Sequence, residues 1–155
     1  MKTSKEAICI LNDLIRVNND RNAGYRKAGE ELKDEDIDLR VLFNQYAIDS
    51  KIYANRLQNI LIATNTDVSE DTSISGQIYK AWMDVKITFS GHDRASVLSA
   101  CEYGEESVQK AYTTAMESEA VFADFIYDIM EDQQFSLKEV YKMIRLKKNE
   151  LAAFK

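Results

Sequence analysis

The sequence predicts an all-α protein, an up-down bundle of four long helices with one short additional helix. Three observations carry that expectation. The 155-residue chain has no proline and only five glycines, so little in it interrupts a helix. Its apolar residues recur at three- and four-residue spacing over long stretches, the period of a helix that buries one face. The one alternating run, residues 85–89, would be a strand with no partner, so it too reads as helix.

Taken in order, Thr3, Ser4, Lys5 and Glu6 form a capping box, in which hydroxyl and carboxylate satisfy reciprocal backbone donors. The first helix then carries Ile8, Leu11, Ile15, Asn18, Asn22, Tyr25 and Leu32 on one face, apolar at both ends and polar in the middle. Lys33, Asp34, Glu35 and Asp36 make a charged turn with several candidate caps. The second helix, about residues 37–63, has the stripe Leu39, Leu42, Phe43, Tyr46, Ser50, Tyr53, Leu57, Ile60 and Leu61, with Asp49 at its border. Two helices of roughly 27–30 residues, ~40–45 Å each, joined by a short turn predict an antiparallel hairpin.

Residues 64–75 are the most polar stretch and read as a surface connection, with 69–72 exposed. Ile78, Trp82, Val85 and Phe89 mark the short helix, and Gly91 is its stop. The next helix presents Leu98, Cys101, Val108, Tyr112 and Ala115 and ends near Glu117. Val121, Phe122, Phe125, Ile126, Ile129 and Met130 open the last one. Its stripe runs on through Gln133, Leu137, Val140, Ile144 and Leu151, although residues 136–139 form a second capping box. Continuity of direction is expected, with room for a kink at 133–136. A faint repeat, small-Tyr-x-x-Ala, occurs at residues 24–28 and 111–115 and hints at two related hairpins. Residues 1–155 are expected to form a single domain.

A net charge of −6 opposes nucleic acid and anionic membranes as main partners. The basic C-terminal stretch is interleaved with Glu139 and Glu150 and reads as a solvated face. No segment has the apolar length of a membrane span, and residues 8–11 are too short for a signal peptide. A cytoplasmic location is the expectation. Cys9 and Cys101 lie on apolar helix faces and are expected to be buried and reduced.

Several motifs resemble a known family. Residues 11–15, Asp20, Gly24, Tyr25 and Ala28 are similar to its first helix. Gly76, Trp82, Val85, Lys86 and Asp93 resemble its middle section, and Cys101-Glu102-Tyr103-Gly104-Glu105-Glu106 with Tyr112 its most distinctive run. The resemblance fades after about Glu117, with Gln133 and Gln134 the best later match. The family is an uncharacterised bacterial domain of unknown function, described as four-helix-bundle proteins of the ferritin-like superfamily. The resemblance implies a ferritin-like bundle and no established activity.

Glu105 stands in the middle of an apolar stripe, where a carboxylate is costly unless paired or ligated. A ferritin-like di-iron site takes a Glu from each of two helices and a Glu-x-x-His from each of the other two. This chain has one histidine, His92 in a turn, and no Glu-x-x-His. Asp20, Asp49, Glu102 and Glu105 are the carboxylates that could form a degenerate site for a divalent metal ion. The competing reading pairs Glu105 with Arg21, Tyr25, Lys51 or Tyr53, which would fix helix register without catalysis. No nucleophile elbow, phosphate loop, zinc pattern or dinucleotide fingerprint occurs, so no catalytic residue and no resident cofactor is expected. Two function classes remain: a non-enzymatic bundle that meets a protein partner or its own copies, and a metal-binding bundle.

Overall fold

The computed structural model describes residues 5–64, 77–86 and 93–153. Thr3, Ser4, Gly76, Gly91, His92 and residues 69–72 lie outside them. All regular structure among the described residues is helical: α1 (Lys5–Glu31), a 3-10 turn (Asp34–Asp36), α2 (Ile37–Ala63), α3 (Gln77–Lys86), α4 (Arg94–Glu117) and α5 (Asp124–Ala153).

The matched lengths of α1 and α2, 27 residues each, bear out the predicted hairpin. Arg40 closes its turn by donating to the Leu32 carbonyl at 2.8 Å. At the start of α4, the Asp93 carboxylate accepts from the Ser96 amide at 2.8 Å, a side-chain cap for an otherwise unpaired donor. Arg94 then reaches Asp36 at 2.9 Å and Asp38 at 2.8 Å, and Lys147 of α5 lies 3.7 Å from Asp38. The starts of α2 and α4 and the late part of α5 therefore meet at one end of the molecule.

α5 runs for 30 residues without a break. The capping box at Ser136 starts no new helix, because Gln133, Leu137 and Ile144 keep one buried stripe in phase through it. α1 packs along α2 and α4 along α5, while α3 lies against α1 and α4. None of the helices searched is long and apolar enough to cross a membrane.

The apolar core falls into two clusters. One includes Leu11, Leu14, Leu57, Trp82, Phe122 and Met130. The other, smaller, includes Tyr25, Leu39, Phe43, Leu98, Cys101 and Ile144. Asn12, Asp13 and Asp36 aside, the buried polar residues are Asn18, Arg21, Ser50 and Glu105, near the middle of their helices, and Gln133, in the first third of α5. That layer accounts for the polar centre of the first helix stripe. Cys101 is buried, whereas Cys9 is half-buried, so the expectation of two sealed thiols holds only for Cys101. Neither forms a disulfide.

Candidate functional site

The polar layer is built around Arg21 of α1 and Glu105 of α4, both buried. Arg21 Nε donates to Glu105 Oε1 at 2.6 Å and Nη2 to Oε2 at 3.1 Å, the two-pronged pairing that a planar guanidinium makes with a carboxylate. Nη1 turns to α2, donating to the Ser50 hydroxyl at 2.5 Å and the Tyr46 carbonyl at 3.2 Å. The Arg21 guanidinium also lies 4.9 Å from the centre of the Tyr25 ring and 6.0 Å from that of Tyr46. One cation thus ties three helices at a single height.

Burial opposes the charge on Arg21, but the Glu105 carboxylate outweighs it and holds the guanidinium pKa above its ordinary value. Burial pushes the Tyr25 hydroxyl well up, and the same carboxylate adds to the shift. The Cys101 thiol, one turn before Glu105, is pushed up for the same two reasons.

A second network lies alongside. Asn18 Nδ2 donates to the Tyr112 hydroxyl and to the Leu14 carbonyl, both at 2.9 Å. Tyr112 donates to Gln133 Oε1 at 2.7 Å, and Gln133 Nε2 reaches the Tyr53 carbonyl at 3.4 Å. This chain of bonds joins α1, α4, α5 and α2. Burial raises the Tyr112 pKa, so its hydroxyl stays protonated and able to donate.

The four carboxylates considered for a metal do not form one group, although Asp20 and Glu105 both line one cavity. Glu105 spends both oxygens on Arg21. Glu102 sits towards the surface, 3.0 Å from Lys148 and 3.7 Å from Arg145 of α5. Asp49, half-buried on α2, accepts from Gln45 at 2.8 Å. Asp20 lines a cavity of about 140 Å³ between α1, α3 and α4, whose other walls include Gly24, Trp82, Ala100 and Gly104. Among the described residues, no three His, Cys, Asp or Glu side chains group as metal ligands. Both oxygens of Glu105 already face the Arg21 cation, which could not be displaced from them without being stranded in the core.

Of the partners considered for Glu105, Arg21 makes the ion pair and Tyr25 covers it. Lys51 instead lies 3.5 Å from Asn19, near the surface. Ser50 and Gln133 are members of the layer; Ser50 was read only as a stripe position, and Gln133 as a stripe position and, with Gln134, as a late match to the resembled family. Their signal was present: each is a polar side chain in phase with an otherwise apolar stripe.

The described residues thus define an all-helical protein with a buried polar layer at mid-height, centred on the Arg21–Glu105 pair. The chain belongs to the family described as Domain of unknown function (DUF2383), whose model matches residues 6–118. The match includes both members of the ion pair and ends, like the resemblance read from the motifs, before α5 begins. No curated protein and no solved structure matches the chain.

Proposed function

We propose that this protein is a ferritin-like up-down four-helix bundle that acts without catalysis, by presenting a helix face to another protein surface. In this reading the Arg21–Glu105 pair takes the interior position that metal ligands occupy in catalytic relatives of the fold, and its role is to fix helix register. The observation that carries the reading is on the outside of α2. Ile37, Val41, Ile48, Ile52 and Ile62 are between 44% and 65% exposed. At 3.6 residues per turn they fall within an arc of about 80°, opposite the buried Leu39, Phe43, Ser50 and Leu57. A helix apolar on two opposite faces is one with neighbours on both.

The experiment places a photo-crosslinking residue at position 52 and a control at exposed position 142 of α5, in the cell that makes the protein. A protein adduct formed from position 52 and not from 142 is expected. No adduct from either would overturn the reading. The alternative, a degenerate carboxylate site for a divalent metal, would need a rise in melting temperature with Mn²⁺, Fe²⁺ or Zn²⁺ that chelator reverses. The occupied oxygens of Glu105 argue for no such rise.

A further inference from the structure

The outer stripe of α2 has a pattern that identifies what it fits. Its residues are arranged almost symmetrically about position 50. Laid antiparallel on a second α2, Ile37 of one copy meets Ile62 of the other, Ile48 meets Ile52, and Asn44 meets Asn55. Four of the five exposed apolar positions fall on apolar ones and Asn44 falls on Asn55, while Val41 falls opposite the amides Gln58 and Asn59. The matched pairs also share a flank of the helix, as an antiparallel two-fold requires. We propose that the partner of this face is a second copy of the same chain, docked antiparallel with the two-fold axis passing between Ile48 and Ile52 on the outer face of α2.

The proposal rests on the contact reading above and adds the identity and register of the partner. Charge agrees with it. The charged residues of α2 are Asp38, Asp49, Arg40, Lys51 and Arg56, so this helix is nearly neutral in a chain of net charge −6. Two copies can meet here without the self-repulsion that the rest of the acidic chain sets up. Size agrees as well. α2 is about 40 Å long and a helix with its side chains about 10–12 Å across, so contact along its length covers on the order of 1,000 Å² over both copies. That meets the minimum of about 1,000 Å² for a biological interface, the size of a weak dimer, with a β-branched centre.

The test uses the full chain with Cys9→Ala, which removes the half-exposed native thiol. Sedimentation should show a dimer, and Ile52→Lys, at an exposed position, should weaken it about 30-fold or more while leaving the helical spectrum unchanged. Ile37→Cys and Ile62→Cys, oxidised separately, should form no linked dimer, because each lies ~37 Å from its own copy in this register. Mixed, they should link to one another. A chain that stays monomeric, a dimer unaffected by Ile52→Lys, or self-linking of Ile37→Cys would each overturn the proposal. A monomer whose position 52 crosslinks a different protein removes the second copy and leaves the contact reading standing. Absence of any adduct removes both.

Discussion

Glu102 and Glu105 stand three residues apart on α4, each beside a basic group, yet they do different work. Glu105 is buried and binds Arg21 through two hydrogen bonds. Glu102 is part-exposed and takes Lys148 and Arg145 from α5, whose side chains are 39% and 57% exposed. Three residues are 300° on a helix, so the second carboxylate is turned only about 60° from the first. That rotation moves it out of the core and into water, where an ion pair is screened and its partners keep their freedom. Interior pairing specifies; surface pairing decorates.

The largest break in this comparison is Glu105→Leu. It strands the Arg21 cation in the core and should cost about 3–5 kcal/mol in denaturant unfolding. Pairing it with Arg21→Met should recover most of that loss, since a well-packed apolar replacement of a buried pair is often neutral. Tyr112→Phe tests whether the second network behaves like the first. It leaves Gln133 Oε1 without its donor, and a loss of about 1–2 kcal/mol is expected. Glu102→Gln should cost about 0–1 kcal/mol, and that difference should vanish at high salt.

A smaller effect sharpens the comparison at a second surface pair. Hydrogen bonds from Arg94 hold the Asp38 carboxyl at about 2, below its ordinary 3.8. A carboxyl lowered in the folded state adds stability above its unfolded pKa and loses it as pH falls from 3.8 towards 2. Because Asp38 is largely solvated, Asp38→Asn should flatten the acid limb of the stability curve only slightly in that window. The smallest response is expected of Cys101. In the native state Cys9 should react with a thiol reagent, while Cys101 should stay silent until the chain unfolds.

Much of the architecture was legible because the signals were periodic and unopposed. Without proline, the stripes of α1, α2 and α4 predicted their own bounds to within a residue or two. Arg21 was foreseeable as one of four candidate partners of Glu105, but not as part of the first stripe, which was read through Asn22, a position the structure leaves half-buried. Helical phase placed Glu105 on the buried stripe of α4, as the structure has it, but it could not say whether a cation or other carboxylates would face it, because that depends on how α1 and α2 are set against α4. The second face of α2 was legible in principle and missed. The search for one buried stripe absorbs Leu39 and Phe43 and leaves Ile37, Val41 and Ile48 looking like scatter.

The division of the core into two unequal clusters has a consequence for how the molecule opens. The polar layer interrupts apolar contact at mid-height, so the two ends need not loosen together. Among the described residues, the smaller cluster holds the last turns of α1, the first turns of α2 and the start of α4, with Ile144 and the adjoining Val140 from α5. Fewer buried side chains mean a smaller free energy to open. In native-state hydrogen exchange, amides around Ala28, Phe43 and Leu98 should therefore exchange ahead of those around Leu14, Leu57 and Met130. Arg21 and Glu105 would stand at the boundary between two cooperative units.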